Sequence, residues 1–176
     1  MKNSCKVLFF ILALPLFSWA DDCSNSVIKQ YFGDQSKMGQ GTVYKFVIPA
    51  YDISLWSKET PWSFNTLFAL QVKCRWDASQ KEMVDSTIEV MERQPTLTAE
   101  KSKEYRDLLN SFYPDLKEGD LVTVIVTPGL SIRFYHNDKM LKDIPDMDFA
   151  KHFCNIWLDK DTKYTSARKG LLGSNS

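Results

Sequence analysis

The spacing of apolar residues in this chain changes from every second residue to the helical three-or-four and then back, and that order is what most limits the folds open to it. Tyr44, Phe46 and Ile48 alternate with Lys45 and Val47. After Pro49, Tyr51, Ile53 and Leu55 alternate with Asp52, Ser54 and Trp56. Both runs suit strands, one over residues 42–48 and one over residues 50–56. A third strand, over residues 67–76, puts Phe68, Leu70, Val72, Cys74 and Trp76 on one face. Gln71, Lys73 and Arg75 point the other way, as on a sheet with one wet side.

The period then lengthens. Ser79-Gln80-Lys81-Glu82 forms a capping box, with Val84, Ile88 and Met91 at helical spacing behind it and Pro95 closing the helix. Thr98 caps a second helix with Tyr105, Leu108, Leu109 and Phe112 as its apolar stripe, and Pro114 and Gly119 mark the exit. Strands return at residues 121–127, 132–136 and 140–144, separated by turns at Pro128-Gly129 and at His136-Asn137-Asp138-Lys139. Asp146 caps a further helix that buries Phe149, Phe153, Ile156 and Trp157, and a short helix over residues 165–172 ends at Gly173. Runs of strands and runs of helices predict an α+β domain, an antiparallel sheet with helices on one face.

Residues 1–20 read as a cleavable signal peptide. Lys2 and Lys6 precede an apolar run from Val7 to Phe17, and Ser18-Trp19-Ala20 puts small residues where a signal peptidase reads. The run is shorter than the roughly 20 residues a membrane span needs. Cleavage after Ala20 leaves one domain, residues 21–176, with no transmembrane anchor and a periplasmic or secreted destination. It also removes Lys2 and Lys6, turning a balance of 22 basic and 22 acidic residues into a net charge of −2. Nucleic acid, usually met by a basic surplus, is not an expected partner. Cys23, Cys74 and Cys154 remain. Their odd number leaves at least one thiol unpaired within a monomer, and their spacing fits no metal site. Small buried side chains, with one bridge at most, are the expectation for them. His152, beside the stripe of its helix, reads as a packed or half-exposed histidine and not a ligand.

An ordered series of short motifs carries a family resemblance. It runs Gly39-x-Gly41, Tyr51-Asp52-Ile53-Ser54-Leu55-Trp56, Phe68-Ala69-Leu70, Tyr113-Pro114-Asp115 and Lys117-Glu118-Gly119-Asp120. It continues with Arg133-Phe134-Tyr135-His136-Asn137, Phe149-Ala150-Lys151-His152-Phe153, Ile156-Trp157-Leu158, Thr162, Arg168 and Leu171-Leu172-Gly173. At this spacing the chain resembles the chalcone isomerase-like family of exported bacterial proteins, departing at Asp138 and Lys142, where glycine is usual. The resemblance implies an open-faced β-sandwich, a curved antiparallel sheet with helices packed on one face and a cleft between. It also implies no metal and no organic cofactor.

True chalcone isomerases add a phenolate to an enone, which needs a cation to hold the phenolate and hydroxyls to polarise the enolate. Thr42 and Val43 stand where the family's arginine is expected, Pro49-Ala50 where its threonine is, and Ser79-Gln80-Lys81-Glu82 where its tyrosine is. None of the three carries over, and residues 41–56 contain no arginine. No other catalytic constellation is present, so no residue is assigned a catalytic role.

Arg133 and Tyr135 share one face of their strand, opposite Ile132 and Phe134. If that face lines the cleft, the pair suits a ligand carboxylate; otherwise Arg133 is a surface arginine paired with Asp52 or another acid, with Arg75 of the same status. The leading functional expectation is a non-catalytic binder of a small apolar or amphipathic ligand such as a fatty acid. An isomerase or lyase with a rearranged site, and an envelope protein that binds a partner and no small ligand, stand as alternatives.

Overall fold

A computed structural model describes residues 26–34 and 37–173. The expected signal peptide and Cys23 lie outside the described residues. The chain runs α1 (Ser26–Phe32), β1 (Gly39–Lys45), β2 (Ile48–Ser57), β3 (Phe68–Cys74), α2 (Gln80–Met91), α3 (Ala99–Asn110), β4 (Leu121–Thr127), β5 (Ser131–His136), β6 (Lys139–Ile144), α4 (Met147–Leu158) and α5 (Thr165–Leu172). All six strands form one sheet in chain order, each antiparallel to the next.

Register turns the period-two pattern into one continuous apolar surface. Leu55 pairs with Leu70, Leu70 with Val124, and Val124 with Phe134, so a row of buried side chains crosses four strands on one face. The helices that cover it start where the capping residues stand. Ser79 and Glu82 satisfy each other's backbone N–H groups at the head of α2. Thr98 accepts from Lys101 N–H at α3, and Asp146 accepts from the N–H groups of Asp148 and Phe149 at α4. From α4, Phe149, Phe153, Ile156 and Trp157 join the core, and the Phe153 ring meets that of Phe134 edge-on at 4.9 Å.

The last helix lies directly on the first strand, backbone against backbone. A Cβ at Gly39 would come within 2.2 Å of the Leu171 carbonyl oxygen, and one at Gly41 within 2.7 Å of Ala167 Cα. On the helix side, a Cβ at Gly170 would come within 2.2 Å of the Gln40 carbonyl oxygen. The Gly39-x-Gly41 segment is therefore a docking strip for α5.

Two features differ from the sequence expectation. The strand expected over residues 42–48 ends at Lys45. Phe46 and Val47 form the tip of a hairpin in which Lys45 pairs with Ile48. Pro49, read as the break, instead lies within β2 and is tolerated because β3 pairs with β2 only from Tyr51 onward. The second difference is α1, which covers the face of the sheet opposite the other helices. Trp56, Ala69, Ile125 and Tyr135 are buried there against Val27, Ile28 and Phe32. The outward positions of the central strands are thus apolar in one patch, and that patch needs a lid.

Candidate ligand cavity

Between the inner face of the sheet and helices α2 and α4 the side chains do not fill all the space. They leave a cavity of about 860 Å³, within the range that holds small-molecule ligands. Val43, Leu70, Val72, Val122 and Val124 form the sheet wall. Val90 of α2 and Phe153 and Ile156 of α4 form much of the opposite wall. Valines on three strands, where leucine or phenylalanine would reach the helices, account for much of the space.

The polar groups lining this cavity include the phenols of Tyr44, Tyr51, Tyr113 and Tyr164, the hydroxyls of Ser86 and Thr87, the carboxylates of Asp77, Glu82 and Glu89, and two lysines. Tyr51, the first inward residue of the Tyr51-Ile53-Leu55 alternation, accepts a 2.9 Å hydrogen bond from Trp157 Nε1, and the Tyr164 phenol lies beside it. Burial pushes the Tyr51 hydroxyl well above its ordinary pKa, and burial does the same to Tyr113. Both remain neutral hydrogen-bonding groups under all physiological conditions. The cations that line the cavity stand at its rim. Lys45 is exposed and lies over the Trp76 ring at 5.9 Å. Lys163 lies over the Tyr164 ring at 5.2 Å, with its ammonium 3.5 Å from Glu89.

The residues singled out from the sequence are placed elsewhere. Because Ile132 and Phe134 face the helix-covered core, Arg133 and Tyr135 face the other side, under α1, and do not line the cavity. Arg133 donates to Asp143 at 2.8 Å and to the Tyr31 hydroxyl at 3.2 Å, and the Tyr31 and Tyr135 hydroxyls are 3.0 Å apart. The condition under which this pair would meet a ligand in the cleft is thus not met by this cavity. The four side chains fasten α1 to β5 and β6. Arg75 is likewise on the outer face, bonded to Asp52 at 3.0 and 3.1 Å. Thr42 also turns outward, donating to Asp52 at 2.7 Å. Arg133→Met should therefore leave ligand affinity within about twofold and cost about 1 kcal/mol or less in stability. Calorimetry and denaturant unfolding on the same pair of proteins check both halves.

His152 is packed: its Nδ1 donates to the Asp148 carbonyl at 2.8 Å and its Nε2 accepts from Thr96 at 3.1 Å. Cys74 and Cys154 are both buried and free. Burial raises the Cys74 thiol to about 11 and moves the Cys154 thiol upward too, so both stay protonated. Among the described residues no cluster of histidine, cysteine and carboxylate side chains could hold a metal ion, and no helix is long and apolar enough to cross a membrane.

The chalcone isomerase-like family model matches residues 37–173, from just before β1 to the end of α5. The chain belongs to the chalcone isomerase-like family. No curated protein matches it in sequence. Among solved structures, a fatty-acid binding protein of Arabidopsis thaliana superposes with a TM-score of 0.62 at 8% identity, over 77% of this chain and 85% of that one. The fold is thus the chalcone isomerase-like one expected from the motif series, and α1, on the outer face, precedes the matched residues. At the three positions where the family's catalytic arginine, threonine and tyrosine are expected, the residues that line the cavity are Val43, Ala50 and Glu82. Sequence reasoning missed Tyr51, Tyr113 and Tyr164 as site residues. For Tyr51 the signal was available: a phenol on the inward side of an otherwise aliphatic strand.

Proposed function

We propose that this chain is an exported, non-catalytic binding protein for a small apolar or amphipathic molecule such as a fatty acid, held between the sheet and helices α2 and α4. The observation that carries the reading is the cavity itself: a volume of about 860 Å³ with an aliphatic sheet wall, phenols inside, and charged side chains of both signs, among them Lys45, Lys163 and Glu89, along its lining. A buried carboxylate without a partner would be too costly. A fatty acid therefore places its chain along Val72, Val124 and Phe153 and its head group toward the rim, where Lys163 can neutralise it and the phenols can donate to it. The same features disfavour chalcone cyclisation, which needs a cation fixed against a phenolate inside the site. The fatty-acid binding protein from Arabidopsis adds support by analogy of fold.

Filling the cavity tests the reading. Val72→Trp puts an indole into the space from the sheet side. Fatty-acid affinity measured by titration calorimetry should fall at least about tenfold, or 1.4 kcal/mol, while the far-ultraviolet dichroism stays that of the parent. A parent protein that binds no fatty acid, or a variant that binds as well as the parent, would overturn the proposal. Export is tested separately, by N-terminal sequencing of the protein recovered outside the cytoplasm, which should begin at Asp21.

A further inference from the structure

The tip of the β1–β2 hairpin is built against both turn chemistry and solvation. Phe46 is 94% and Val47 87% exposed, flanked by Tyr44 and Ile48, each more than half exposed. Phe46 also holds φ = 58°, a left-handed conformation that a two-residue hairpin loop ordinarily assigns to glycine or asparagine. An aromatic residue there strains the backbone and gains no burial within the chain. Folding alone gives no reason for it.

The position of the tip supplies one. Tyr44, Lys45 and Phe46 are themselves part of the cavity lining, so the apolar protrusion is continuous with the cavity mouth. Around it stand the residue types that favour the boundary between water and hydrocarbon: Tyr44, Trp76, and Lys45 with its ammonium over the Trp76 ring. The shape decides between partners. A convex two-residue tip needs a matching concave pocket on a protein, whereas a fluid lipid surface accepts any apolar protrusion and leaves the lysine among the head groups.

We infer that the Phe46-Val47 hairpin tip inserts into a lipid surface and holds the cavity mouth against it, so that an amphipathic ligand passes between bilayer and cavity without crossing water. The passage of ligand rests on the cavity being the binding site. The docking of the tip does not.

The experiment uses the mature full-length protein and its Val47→Asp variant, which sets a charge in the tip at a residue outside the cavity lining, and at the second loop position, where two-residue turns accept aspartate and the hairpin stays folded. Flotation with ligand-free vesicles of phosphatidylcholine and phosphatidylglycerol should carry the parent upward and the variant at least about tenfold less. In vesicle-free solution the two should bind a fluorescent fatty acid equally well. Its transfer out of labelled vesicles should be at least about tenfold slower with the variant. Equal flotation of parent and variant, or no flotation of the parent, would overturn the inference. So would a parent that dimerises through the tip, with the variant monomeric and neither on vesicles. A parent that floats but binds no fatty acid in solution would sink the cavity reading and leave tip docking standing.

Discussion

Gly41→Val should destabilise the protein by about 3 kcal/mol or more. The added Cβ would lie 2.7 Å from both the α-carbon and the carbonyl oxygen of Ala167. Neither can swing aside as a side-chain tip could, because both belong to the α5 backbone. Relief comes only by moving the helix off the strand, which uncovers Leu171, fully buried in the native fold. Tyr164, the residue at the head of α5, lines the cavity. The same substitution should thus weaken ligand affinity even in molecules that stay folded. Urea unfolding gives the first effect and calorimetry the second. A loss below about 1 kcal/mol would mean that α5 slides freely along β1.

Phe153→Ala should cost about 3–5 kcal/mol. Its ring sits among those of Phe134, Phe149 and Trp157, with centroids at 4.9, 5.9 and 5.6 Å, and the residue is 3% exposed. Truncation removes the partner of three aromatic contacts and joins the vacated volume to the cavity, which Phe153 already borders. The wall between core and cavity then disappears, so collapse cannot refill the space at low cost. Unfolding in urea checks this. An effect under about 1 kcal/mol would place α4 wrongly.

The helices of the inner face were legible because their signals are local. Asp146 three residues before Phe149, and Phe149, Phe153, Ile156 and Trp157 on one stripe, specify both the start of α4 and its buried side. Strand alternation likewise separated Arg133 and Tyr135 from Ile132 and Phe134. What alternation does not say is which face carries the cleft. Here the apolar pair was the guide, since helices α2 to α5 are drawn to the apolar face and the cleft lies beneath them. The cavity itself was not legible, because it is what remains when valines face helices across a gap, and no single residue announces a volume. Nor was α1 read from its seven residues, although Trp56, Ala69 and Ile125 at outward positions signalled a face in need of cover. The hairpin tip was misread as strand because Phe46 and Val47 have strand propensity. Their pairing context, not their type, makes them a turn.

The contact between α5 and β1 joins the last described element to the first strand, so the strands can pair one after another in chain order while the opening strand still lacks its cover. All five strand pairings are between neighbours in chain order and can form as the chain lengthens. The Gly39 to Leu171 contact must wait until residue 171 is free to fold. A chain emerging from its N-terminus therefore keeps β1 incompletely covered until residues 165–172 are available.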